Sequence, residues 1–205
     1  MTKADKTTLL YFITRTGMYI NPVDDRNVAS FIHGYELGTK RKCDFTRLSK
    51  ELLADKYKIG YSSDGWTGQI ERLAEKLSLS WLTTFKKVAL EIVANEDGGL
   101  DEEMKQILKT RIASLIGRIN AMGDPWFNQS WIEEWLSLCL LKSKWFKQLW
   151  TADEWTIVKA IDKQVQTDNI FNDKDDDFPA PQLIKLKQQY DKATKKNGIQ
   201  QKYLQ

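Results

Sequence analysis

Apolar residues return at the spacing of an α-helix along almost the whole chain, and that recurrence constrains the fold more than any other feature. Val28, Phe31, Ile32 and Tyr35 follow the i, i+3, i+4, i+7 pattern, with Asp24 or Asp25 ahead of them as a cap. Asp44 precedes Phe45, Leu48 and Leu52; Trp66, Ile70, Leu73 and Leu77 align on a third face; Ser80 stands before Trp81, Phe85, Val88, Ala89 and Ile92. Gly98-Gly99 then stops the pattern, as glycines do in left-handed C-terminal turns. Asp101 opens a long helix through Met104, Ile107, Leu108, Leu115, Ile119 and Met122. Asp124-Pro125 starts the next, because the N–H that proline lacks is not needed in a first turn. Strand signals are thin: Tyr57, Ile59 and Tyr61 alternate, and Met18 to Ile20 could pair with them. The expectation is an all-α multi-helix bundle, as one body or two packed lobes, with at most a short hairpin or strand pair. The glycine pair separates an N-terminal lobe, 1–97, from a tryptophan-rich lobe, 100–171; residues 172–205 read as an acidic linker, an amphipathic helix and a lysine-rich tail.

Six of the eight tryptophans fall between Trp126 and Trp155. Each ring can bury roughly 150 to 250 Å², worth roughly 4 to 6 kcal/mol gross at about 25 cal/mol per Å². The cluster is therefore either a core or a partner's landing site. From Trp131 to Leu141 only Glu133, Glu134 and Ser137 are polar, and a helix apolar nearly all round belongs in an interior or an interface. Continued unbroken to Trp150, it would bury Lys142, so a break is expected at Lys142 to Lys144. Thr151 and Glu154 then form a capping box, with Trp150 and Trp155 placed for a hydrophobic staple.

The function classes that composition excludes are broad. With 41% hydrophobic and 29% charged residues the chain is an ordinary globular one, and its net charge of +3 is too small for a globally basic nucleic-acid binder. Charge is uneven, however. Residues 39 to 58 carry seven cations against Asp44, Glu51 and Asp55, a local +4, and Lys40, Arg41, Lys42, Arg47 and Lys50 are the candidates for phosphate contact, with Phe45, Tyr57 and Tyr61 for base stacking. The plainer reading is the polar face of a helix. Cys43 and Cys139 lie far apart behind a polar Met1–Thr8, which reads as reduced thiols in a cytoplasmic protein. No apolar run approaches the roughly 20 residues of a membrane span.

Catalytic and cofactor signatures are missing. His33 is the lone histidine, and a serine or cysteine nucleophile needs a base beside it. One histidine and two scattered cysteines show no zinc spacing, so no metal and no cofactor are expected. Asp173, Asp175 and Asp177 alternate like the start of a calcium loop, but Phe178 and Ile184 occupy positions that require glycine and glutamate. No glycine-rich phosphate cradle occurs, and Glu133 and Glu134 point apart on their helix rather than forming an acid/base pair.

Arg15-Thr-Gly-Met-Tyr-Ile20, then Phe31-Ile-His-Gly-Tyr35 and a tryptophan-led helix at Trp66, resembles a group of small bacterial proteins that open with R-P-G-M-Y-(I/L)-G. The resemblance covers residues 10–93 and marks Arg15, Gly17, Met18, Tyr19, Gly34 and Tyr35; Thr16 stands at the group's proline and Asn21 at its second glycine. Some members of that group look like immunity proteins paired with toxins. The absent catalytic groups, the cytosolic composition and the excess aromatic surface, together with this resemblance, give the expectation of a non-enzymatic inhibitor or immunity-type protein whose partner is a toxin, nuclease or defence-system component. Trp126, Trp131 and Trp145, with Lys142 and Lys144, are the candidate partner-binding residues. The rival expectation is a nucleic-acid-associated accessory factor that uses the basic segment.

Overall fold

The computed structural model describes residues 1–94, 100–121 and 125–167, and side chains within these except at 119–121, 125–130, 164, 166 and 167. Among the described residues the chain is all-α: nine α-helices and one 3-10 turn, with no strand. It divides into two compact units, Met1–Leu108 and Lys109–Gln205. The glycine pair at 98 and 99, the aspartates at 173 to 177 and the expected terminal helix lie outside the described residues.

The first unit holds α1 (Lys3–Thr14), the 3-10 turn (Thr16–Met18), α2 (Asp25–Gly38), α3 (Phe45–Asp55), α4 (Gly65–Leu77), α5 (Trp81–Val93) and the start of α6 (Glu102–Ala121). α5 is its centre and packs on α1, α3 and α4. The reason lies in its composition, since Phe85, Val88, Ala89, Leu90, Ile92 and Val93 are all buried. Rings from four other segments gather round it. Phe12 stacks on Phe31 at 3.9 Å, Trp81 stacks on Phe85 at 5.5 Å, and Phe45 and Trp66 meet each other edge-on at 5.8 Å.

Local capping starts most of these helices as the residue types dictate. Asp24 accepts the Asn27 N–H at 2.8 Å, Ser80 the Thr83 N–H at 3.2 Å and Asp101 the Met104 N–H at 2.9 Å. Asp44 departs from the expectation. Its backbone is left-handed (φ 55°), and its carboxylate holds Arg47 instead of capping α3. Glu36 of α2 takes over, accepting the Thr46 N–H and the Thr46 hydroxyl, both at 2.6 Å. The helix α1 was not expected. Its signal is a capping box at Thr2 and Asp5 ahead of Leu9, Leu10, Phe12 and Ile13, all four of them buried. Burial pushes the Asp5 carboxyl up, but hydrogen bonds from Thr2 and Tyr35 outweigh it and hold the group below its ordinary range.

The two expected strand segments are corrected. In the segment 18–20, Met18 ends the 3-10 turn, and the Tyr19 and Ile20 N–H groups both return to the Thr16 carbonyl, at 3.0 and 3.2 Å. At 57–61 the backbone turns through a left-handed Lys58 (φ 60°), and the polar groups of Ile59 are satisfied locally, by the Leu53 carbonyl at 2.9 Å and the Gln69 side chain at 2.9 Å. With its N–H and carbonyl both occupied, Ile59 has no backbone group free to pair in a ladder.

The second unit contains the remainder of α6, α7 (Pro125–Leu138), α8 (Lys144–Gln148) and α9 (Ala152–Thr167). Pro125 is the first residue of α7, and the chain leaves helix after Leu138, so the expected break exposes Lys142 and Lys144. Trp131, Trp135, Leu138, Phe146, Val158 and Ile161 form the buried centre. Polar ties join the helices. Arg111 grips Glu134 with two bonds of 2.6 Å, and the Trp135 indole N–H donates to Asp162 at 3.1 Å. The Thr151–Glu154 capping box is present, with bonds of 2.8 and 3.3 Å, and the same Glu154 oxygen takes Lys109 Nζ at 2.9 Å.

Candidate functional site

Of the five described rings in the tryptophan stretch, Trp131 and Trp135 are core. Trp131 is buried under the Arg118 guanidinium, whose carbon stands 5.8 Å from the ring centroid. Trp145, Trp150 and Trp155 are half-covered and meet Phe146 edge-on at 5.7, 6.0 and 6.3 Å. Of the sequence candidates here, Trp145, Lys142 and Lys144 remain accessible, and the Trp126 side chain lies outside the described residues.

A different surface of the first unit carries the exposed apolar groups. The buried Thr16 hydroxyl donates to the Phe12 carbonyl at 2.9 Å. Met18 and Tyr19 N–H groups return to the Arg15 and Thr16 carbonyls at 2.8 and 3.0 Å, closing the turn. Tyr19 then roots its ring edge-on against Phe12 and Phe31, each at 5.8 Å. A Cβ on Gly17 would stand 3.8 Å from Val23 Cγ2, so Val23 lies against the same turn. Six large apolar side chains are exposed among the described residues, and three of them meet here: Met18 at 76%, Tyr19 at 45% and Val23 at 40%.

The other motif positions have structural roles or none. Arg15 caps α1 with its guanidinium over Tyr11, and the Tyr35 hydroxyl donates to Asp5 at 3.1 Å while its ring stacks on Phe31. Gly34 has open space around a Cβ, so packing does not require glycine there.

The basic stretch folds into a depression of about 600 Å³ between α2 and α3. Arg41, Arg47 and Lys50 line it together with His33 and the 67%-exposed Leu37; Lys40 and Lys42 are exposed and outside the lining. Arg47 is spent on Asp44 at 2.6 Å and Glu51 at 2.6 Å. His33 is the one histidine, and its Nε2 accepts the buried Trp66 indole N–H at 3.2 Å, a link that no sequence pattern signals.

Chemistry elsewhere in the unit is muted. Burial raises the Cys43 thiol to about 11, the reverse of an activated nucleophile. Burial and the Glu91 carboxylate, which accepts the Tyr57 hydroxyl at 2.5 Å, raise that phenol far above its ordinary range; Lys56 holds the other Glu91 oxygen at 2.6 Å. Among the described residues no group of three or more His, Cys, Asp or Glu side chains could hold a metal ion, and no helix is long and apolar enough to cross a membrane. No family model, curated protein or solved structure matches this chain.

Proposed function

We propose that this chain is a non-enzymatic protein-binding protein of the inhibitor or immunity type, acting on a toxin, nuclease or other defence-system component. The observation that carries the reading is the apolar knob of Met18, Tyr19 and Val23, held on a turn closed by its own backbone. Methionine and aromatic rings are enriched at interfaces, and a turn already fixed loses little entropy on docking. Met18 and Tyr19 of the knob also fall within Arg15 to Ile20, one of the three segments that carry the resemblance to a group with immunity-type members. Trp145, Lys142 and Lys144 are the accessible candidates for partner contact on the second unit, considered by itself.

The test is purification of the tagged full chain and its Met18→Glu variant from native extract, at about 50 and about 200 mM salt. Met18 is exposed, so the substitution should leave stability within about 0.5 kcal/mol. A partner should co-elute with the wild type at both salt concentrations and be lost with Met18→Glu, as expected when an anchor worth about 2 kcal/mol is removed. A partner retained equally by both proteins, or one lost steeply as salt rises in the manner of phosphate-driven binding, defeats the reading.

A further inference from the structure

The α2–α3 depression has the charge inventory of an anion site once the internal pairs are set aside. Two carboxylates line it against three cations: Asp44 is paired with Arg47 at 2.6 Å, while Glu36, whose oxygens accept the Thr46 N–H and hydroxyl at 2.6 Å each, keeps its charge, so the lining carries a net +1. Arg47 is itself consumed. Arg41 and Lys50 are the lining cations that make no ion pair among the described residues. Because His33 Nε2 accepts from Trp66, Nδ1 is the ring nitrogen left to donate, and His33 lines the depression from a third position.

The wall is held in shape. The Arg41 N–H bonds to the Glu36 carbonyl at 2.6 Å and the Lys42 N–H to the Thr39 carbonyl at 3.1 Å. Lys40, Arg41 and Asp44 all adopt left-handed backbone, with φ of 53°, 62° and 55°. For residues other than glycine that conformation costs on the order of 1 kcal/mol each and gathers where geometry serves a site.

We propose that this depression binds a small phosphate monoester, its phosphate between Arg41 and Lys50 with His33 Nδ1–H as third donor, and its organic group against Leu37. Three donors from separate chain positions suit a tetrahedral dianion with three terminal oxygens better than a planar carboxylate with two. The volume of about 600 Å³ lies inside the range of small-ligand pockets, about 300 to 1,000 Å³. Glu36 and Asp44 on the same wall would oppose the neighbouring phosphates of a polynucleotide, whereas a single phosphate can sit clear of them.

The experiment is an amide and imidazole NMR titration of the full chain with phenyl phosphate, inorganic phosphate and a single-stranded oligonucleotide at about 50 mM salt. Phenyl phosphate should produce saturable shifts at His33, Arg41, Thr46 and Lys50. Arg41→Gln and Lys50→Gln should each weaken it about fivefold, the scale of a partly exposed charge-assisted contact. Leu37→Ala should weaken phenyl phosphate and spare inorganic phosphate. All three changes are at exposed or half-exposed side chains, and an unchanged far-UV spectrum and Met18 resonance report an intact fold. The proposal falls if no saturable shift appears, if both charge variants bind as the wild type does, or if the oligonucleotide binds and phenyl phosphate cannot displace it. None of these outcomes touches the Met18 surface, so the two proposals fail separately.

Discussion

Replacing Glu154 by glutamine isolates one interaction of the second unit. A single Glu154 oxygen accepts the Thr151 N–H at 2.8 Å and Lys109 Nζ at 2.9 Å, tying the start of α9 to α6. Glutamine keeps an acceptor for the cap, since the capping box accepts either residue, and removes the charge that faces Lys109. The two side chains are 21% and 13% exposed, so the loss should exceed the roughly 0.2 to 1 kcal/mol of a surface pair. It should stay below the roughly 3 to 5 kcal/mol of a fully buried one, because Lys109 retains the Trp150 face at 5.6 Å. The expected cost is about 1 to 2 kcal/mol. Thr151→Ala, by contrast, removes a 3.3 Å bond at an exposed position and should cost about 0.5 to 1 kcal/mol, the low end for a cap. Urea unfolding of the full chain at pH 7, followed by tryptophan fluorescence, reads this unit, which holds six of the eight rings. Combining Lys109→Met with Glu154→Gln gives the coupling directly. A Glu154→Gln midpoint equal to wild type, or a coupling indistinguishable from zero, would refute the claim that the ion pair secures α9.

Trp135 and Trp145 should separate by stability. Trp135 is fully buried and its alanine variant should lose about 3 to 5 kcal/mol, while half-covered Trp145→Ala should lose less than half of that; equal losses by denaturation would mean that the two rings are equally part of the core. At alkaline pH the raised Tyr57 phenol sets the sign. The contribution of the neutral form is complete below the unfolded phenol's value near 10 and is lost as pH rises above it, so Tyr57→Phe should flatten the decline in melting temperature between about pH 9.5 and 11. A parallel decline in both proteins would contradict the assignment.

Local chemistry was legible in the residues themselves. The existence of α2 to α6, the caps at Asp24, Ser80, Asp101 and Thr151, the proline start of α7 and the break before Lys144 all depend on groups within about four positions of each other. The buried face of α3, however, is Phe45, Ser49 and Leu53 rather than Phe45, Leu48 and Leu52, and Leu77 at the end of α4 is exposed. Even α1 was available in the Thr2–Asp5 box, but the polar residues up to Thr8 hid it. The tertiary structure decided what distant residues do to one another. Five of the eight residues lining the depression were visible as a basic run or a lone histidine, counting Asp44 with the run, yet only the placement of Glu36 ten residues before Thr46 left α3 capped from another helix. Trp131 and Trp135 lie in the core with the Arg118 guanidinium of α6 over one ring and Asp162 of α9 accepting the indole N–H of the other, partners that no periodicity points to. Thr16 is buried while Tyr19 and Val23 are exposed, a division no pattern in the sequence signals, because the groups they meet, Phe12 for Thr16 and Phe12 and Phe31 for Tyr19, come from other segments brought alongside by folding.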